Sequence, residues 1–141
     1  MRTRLIYLAL LLTLFLICCS DRGNVVSTSI QYSAWRLDSF ETGGYTLTVP
    51  GNEVYTLHFD NDSLVSGQVH CNTYFTSYHM VPPDSISFGP FNTTKILCPQ
   101  PSNQAEFRLG FDNANAMKIT TNQLQLYYMN RTRVLKFHGV L

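Results

Sequence analysis

Tyr55-Thr56-Leu57-His58-Phe59-Asp60-Asn61-Asp62-Ser63-Leu64-Val65-Ser66-Gly67-Gln68-Val69 is the stretch from which the fold is read. Tyr55, Leu57 and Phe59 alternate with Thr56, His58 and Asp60, the two-residue period of a strand with one face buried and one wet. Asn61-Asp62 is turn chemistry, because short polar side chains hydrogen-bond their own backbone. Leu64 to Val69 then returns as a second strand, and together they read as a hairpin.

The same rhythm runs outward in both directions. Toward the N-terminus, Pro50-Gly51-Asn52 closes a half-buried strand, Tyr45 to Val49, that follows a turn at Gly43-Gly44. Ordered structure begins near Ala34-Trp35-Arg36-Leu37, where the only tryptophan needs a core to fill. Toward the C-terminus, Tyr74 to Met80 and Ser85 to Phe88 flank a turn at Pro82-Pro83-Asp84. Met117 to Thr120, Leu124 to Met129 and Val134 to Phe137 follow, the last two joined by Asn130-Arg131-Thr132. Between these groups the period changes. After Pro99 and Pro101, Ser102 is placed to N-cap a helix carrying Ala105, Leu109, Asn113 and Ala116 on one face and Phe107 and Phe111 on another, with Gly110 lowering its propensity. Seven or eight short strands with one late helix predict a mostly β member of the α+β class: a curled antiparallel sheet, or partly open barrel, with the helix packed against it.

Composition agrees with that class. Aromatic residues and charged residues each make up 13% of the chain, a balance that favours strands over solvated helices. Removing Arg2 and Arg4 from the ten Lys and Arg leaves eight cations against nine acids. With neither a basic stripe nor an RNA-type aromatic motif, nothing points to nucleic acid.

The N-terminus states an address. Arg2 and Arg4 precede an almost unbroken apolar run from Leu5 to Ile17, which suits a secretory signal and falls short of the ~20 residues of a spanning helix. Its end, Leu16-Ile17-Cys18-Cys19, resembles the lipobox of bacterial lipoproteins and makes Cys19 the acylated first residue of the mature chain. Cys18 stands where glycine, alanine or serine is commoner; acylation at Cys18 would put Ile17 there, a worse fit. An ordinary secretion signal is the alternative. Ser20, rather than an aspartate, resembles outer-membrane sorting. Residues 1–18 are thus a signal peptide, 19–32 a small, polar tether and 33–141 one domain. The expected location is the cell envelope, on the outer membrane facing the periplasm, with the membrane itself as one partner through the lipid.

Across that domain a series of residues falls in order. Trp35-x-Leu37, Leu57-x-Phe59, Val65-Ser66-Gly67, Cys71-Asn72-x-Tyr74, Tyr78, Phe88-Gly89-Pro90, Thr93-Thr94, Cys98-Pro99, Glu106, Leu124-x-Leu126 and Leu135-x-Phe137 together resemble the META domain of the heat-inducible HslJ-type lipoproteins. Two positions depart from the family's habit: His70 where glycine usually precedes Cys-Asn, and Leu97 where a small residue usually precedes the second cysteine. The resemblance implies a small β-rich domain with a packed helix, a general link to envelope stress or maintenance, and motif positions at Trp35, Gly67, Asn72, Tyr74, Thr94 and Glu106. It supplies no catalytic set.

With Cys18 cleaved and Cys19 acylated, Cys71 and Cys98 remain, an even count in an oxidising compartment. A bond between them closes a loop of about 28 residues and adds roughly 3 to 4 kcal/mol on the chain-entropy model; the alternative is two buried thiols on neighbouring strands. His70, Cys71 and His79 match no zinc spacing, and Asp60 and Asp62 lack the glycine and distal glutamate of a calcium loop, so they read as a solvent-facing strand histidine and as turn formers. Asn61, Asn92 and Asn130 begin glycosylation sequons that matter only in a eukaryotic host. No nucleophile elbow, metalloprotease motif, phosphate loop or Cys-x-x-Cys is present. Glu106 is read as a first-turn carboxylate against the positive end of the helix dipole. The expectation is a non-enzymatic protein without cofactor or metal that binds or steadies another envelope component. A carrier of a small apolar ligand, and an inhibitor or assembly factor for one envelope protein, are the alternatives.

Overall fold

A computed structural model describes Ile30 and residues 33–140; the expected signal peptide, the expected acylation position Cys19 and nearly all of the expected tether lie outside the described residues. Ten strands are present: β1 (Ala34–Thr42), β2 (Tyr45–Thr48), β3 (Thr56–Phe59), β4 (Leu64–Val69), β5 (Asn72–Val81), β6 (Ser85–Phe88), β7 (Asn92–Thr93), β8 (Ala116–Ile119), β9 (Gln123–Tyr128) and β10 (Arg133–Val140). The single helix among the described residues, α1 (Gln104–Asp112), lies between β7 and β8. Eight strands form the path β6-β5-β4-β3-β1-β10-β9-β8, while β2 pairs beside β1 and β7 beside β5. Every pairing is antiparallel.

The path curls until its ends almost meet. At the seam the Met117 N–H donates to the Asp84 carbonyl at 2.7 Å, and Arg131 on the β9–β10 turn pairs with the Asp84 carboxylate at 2.7 Å. A nearly closed barrel leaves few unpaired edge groups for other chains to capture. A bulge at Asp38, where the β1–β10 register shifts, bends β1 and frees the Asp38 carbonyl to accept the Val49 N–H at 2.8 Å.

Alternation decides what fills the curl. On β5, Asn72, Tyr74, Thr76 and Tyr78 point inward and Thr73, Phe75, Ser77 and His79 outward. Tyr55, Phe59, Phe107, Phe111, Phe137 and Tyr128 are fully buried. Several of these rings stack on neighbours, as Tyr55 does on Phe107 at 5.1 Å and Phe111 on the partly buried Phe88 at 3.9 Å between centroids. Ring pairs of this kind add about 0.5 to 1.5 kcal/mol each beyond area burial.

The helix decides between its two candidate faces and corrects the expected cap. Its buried face carries Phe107, Gly110 and Phe111, whereas Ala105 and Asn113 are exposed, Leu109 is half-buried and Ala116 opens β8. Gly110 explains the choice: a Cβ there would sit 3.0 Å from the Leu135 methyl groups, so glycine lets the helix close on β10. The N-cap is Asn103, not Ser102, whose hydroxyl instead accepts from the Gln100 and Gln104 side chains.

Four inward tyrosines make the fold sensitive to alkali. Burial, reinforced by Glu53 at Tyr55, by Asp60 at Tyr74, by Asp62 at Tyr78 and by Glu106 at Tyr128, raises each phenol above its ordinary value near 10. The folded state therefore holds these protons more tightly than the unfolded chain. Their stabilising contribution is complete below about pH 10 and is lost as the pH rises further. Urea midpoints should fall above about pH 10, with part of the phenolate absorbance appearing only together with unfolding. Full phenolate absorbance in a still-folded protein would contradict this burial.

Candidate functional site

Four of the family-motif residues, Gly67, Asn72, Tyr74 and Thr94, gather around the β4–β5 hairpin, whereas Trp35 and Glu106 lie elsewhere. Val69 and Asn72 are paired, so His70-Cys71 is a two-residue hairpin turn, and His70 adopts φ +56°. The first turn position of a hairpin with positive φ there favours glycine, which gives the departure at His70 a physical meaning. The expected solvent-facing strand histidine is instead a turn residue with its imidazole buried, its Nε2 3.3 Å from the Pro99 carbonyl. His70→Gly should relieve about 1 kcal/mol of backbone strain and give up a contact of about the same size. A melting temperature within about 4 °C of the parent is expected, and a larger fall would show that the imidazole contact dominates.

Cys71 is disulfide-bonded to Cys98, with Cα atoms 5.6 Å apart. The bond pins a strap, residues 94–99, across the β4–β5 turn. Asn72 beside it is the second clamp. Its Nδ2 donates to the Ile96 carbonyl at 3.0 Å and toward the Cys98 sulfur at 3.2 Å, and its Oδ1 accepts from the Ile96 N–H at 2.7 Å and the Thr94 hydroxyl at 2.9 Å. Thr94 Oγ1 in turn accepts the Thr73 N–H at 3.1 Å. One buried amide thus satisfies both backbone groups of Ile96 in a strap without regular pairing.

Tyr74 and Gly67 face each other across β5 and β4. The Tyr74 ring crosses the glycine, and its hydroxyl donates to the Thr56 carbonyl at 2.8 Å; the Gln68 N–H donates to Thr56 Oγ1 at 2.9 Å. Side-chain bonds therefore replace ladder bonds between β3 and β4 at this point. Trp35, buried, donates its indole N–H to Ser33 Oγ at 2.8 Å and pairs on β1 with Leu57 of β3 and Gly139 of β10.

Two carboxylates organise the helix. Glu106 in its first turn accepts the Tyr128 hydroxyl at 2.6 Å and pairs with Arg133 at 3.1 Å, tying the helix to β9 and β10. Glu53 was not anticipated from the sequence. It is buried, accepts the Asn103 N–H at 2.8 Å and the Asn103 amide at 3.2 Å, and receives the Tyr55 hydroxyl. The carboxylate caps the helix from 50 residues away in sequence. Both acids are engaged by structural partners. Asp60 accepts from Ser66 Oγ at 3.1 Å and pairs with His58 at 2.6 Å, while Asn61 Oδ1 receives the Ser63 and Leu64 N–H groups, so this turn is held by its own side chains. His79 lies exposed on the outer face of β5.

The strap borders a surface cleft of about 500 Å³ lined by Thr73, Phe75, Phe91, Thr94, Lys95 and Arg108, among others. Arg108 rests 4.4 Å over the Phe91 ring, and Phe91 stacks on Tyr74 at 4.4 Å. A second cleft, about 530 Å³, opens between β2 and the helix start, with Tyr45, Leu47, Glu106 and Arg133 on its walls. The fold thus offers binding surfaces outside a core that side chains fill.

A family model described as META domain matches residues 28–139 of the chain. Among solved structures, a protein from Burkholderia xenovorans determined by NMR is similar with a TM-score of 0.66 at 21% identity, over 79% of this chain and 83% of its own. A DUF4847 family protein from Bacteroides vulgatus ATCC 8482 is similar with a TM-score of 0.61 at 15% identity, over 78% and 94%. At these identities the likeness concerns the fold. No curated protein matches the chain.

Proposed function

Because the chain belongs to the META domain family, we propose that it is a non-enzymatic cell-envelope lipoprotein, acylated at Cys19, whose domain binds or steadies another envelope component during envelope maintenance or stress. The observation that carries this reading is the Leu5 to Ile17 run ending in Leu16-Ile17-Cys18-Cys19. The rest of the molecule is compatible with it. Glu53 and Glu106 are held by tyrosine, asparagine and arginine partners rather than poised beside a nucleophile. The interior of the curl is occupied by rings, which favours recognition on the outer surface over carriage of a ligand inside.

Fractionation of cells expressing the parent and a Cys19→Ser variant tests the address. The parent should sediment with membranes and the variant should appear in the soluble envelope fraction, since buried acyl chains contribute about 0.8 kcal/mol per methylene to retention. A variant that stays on membranes as firmly as the parent would refute the anchor. Crosslinking from intact membranes then identifies the component that the domain touches.

A further inference from the structure

Ile96 and Leu97 are adjacent and solvent-exposed, at 61% and 96%. They are held out by construction. Asn72 binds both the N–H and the carbonyl of Ile96, and Cys98 is bonded to Cys71, so the strap cannot fold these side chains back onto the domain without breaking its clamps. Lys95 precedes them and lines the adjoining cleft with Arg108; no carboxylate lines it. Arg108 Nε is engaged by Asp112 at 2.7 Å and its guanidinium lies on the Phe91 ring. Among the described residues, its terminal nitrogens and the Lys95 ammonium have no hydrogen-bond or ion-pair partner. The exposed Phe75 ring forms another part of the same cleft.

We propose that this face docks on an anionic lipid bilayer, with Ile96 and Leu97 entering the interface and Lys95 and Arg108 meeting the phosphate oxygens of headgroups. An aliphatic tip flanked by cations matches the two layers of such a surface, apolar chains beneath negative charge. The Arg108 fork suits two phosphate oxygens, and stacking on Phe91 fixes its plane in advance. The eleven residue-to-residue steps from Cys19 to Ile30 can extend at most roughly 36 to 40 Å, so a tethered domain always has the bilayer within reach. Docking rests on the lipoprotein reading for this tether alone.

The test uses the full chain extracted from membranes and carrying Leu97→Trp, floated with phosphatidylcholine vesicles that contain or lack phosphatidylglycerol and have brominated acyl chains. Native Trp35 is buried, so the introduced indole supplies the environment-sensitive emission. Its emission should shift to shorter wavelength and be quenched in the anionic vesicles. Lys95→Gln and Arg108→Gln should each lower the docked-to-undocked ratio about fivefold, and salt should weaken it. Flotation with an indole that stays water-exposed and unquenched overturns docking and leaves the anchor standing. A chain that lacks acyl mass sinks the lipoprotein reading instead; the same vesicles at saturating lipid then decide docking, quenching upholding it and its absence overturning it. Photocrosslinking from position 97 to a neighbouring protein, without lipid quenching, assigns the face to protein and also overturns the proposal.

Discussion

Gly67→Ala should lower stability by about 3 kcal/mol or more and the melting temperature by about 12 °C or more. A Cβ at this position would collide with the Thr56 carbonyl oxygen and lie 2.9 Å from the Tyr74 ring. The nearer atom is backbone of β3, so relief requires a whole strand to move. That movement would break the Tyr74 hydroxyl and Gln68 N–H bonds to Thr56, because both depend on the same close approach. Gly51→Ala is the control: a Cβ there meets nothing within 4 Å, and the melting temperature should hardly change. A Gly67→Ala protein that melts with the parent would contradict the described approach of β3 and β4.

Opening the Cys71–Cys98 bond should cost about 3 to 4 kcal/mol, or roughly 2 M in urea midpoint, on the chain-entropy model for a sequence separation of 27. The effect should appear equally on reduction and in a Cys71→Ser, Cys98→Ser double variant. Asn72 still clamps the strap after reduction, since its bonds to Thr94 and Ile96 do not need the disulfide. Asn72→Ala in the reduced protein should therefore release residues 94–99 to protease, as neither change does alone. Identical urea midpoints with and without reductant would mean that the two sulfurs are not bonded in solution.

These two sites show what a single sequence displays and what it hides. Alternation exposed β3, β4, β5, β9 and β10, because each has one face in the core and one in water. The two-residue β7 escaped notice, since it is set by Thr93 and Asn92 pairing with Tyr74 and Phe75 rather than by any pattern of its own. The helix was visible with two candidate faces, but which of them is buried was not. Gly110 lowers helix propensity locally and is there for contact with Leu135, 25 positions later in the numbering. Glu53 was hidden for the same reason: a lone acid beside Pro50-Gly51-Asn52 looks like part of a turn until the fold brings Asn103 to it. At the strap, the collinear series singled out Gly67, Asn72, Tyr74 and Thr94 without saying why they matter. The physical causes are the Thr56 carbonyl and the Tyr74 ring, which leave no room for a Cβ at Gly67, and the bonds converging on Asn72. Glu106 was read as a dipole partner, and its contacts with Tyr128 and Arg133 give it a further role as a strand tie.

Intact-mass measurement of the chain extracted from membranes tests the account most directly. It should give a polypeptide beginning at Cys19, carrying added acyl mass and lacking the hydrogens of two thiols. A soluble, unacylated chain with Cys71 and Cys98 both free would contradict it.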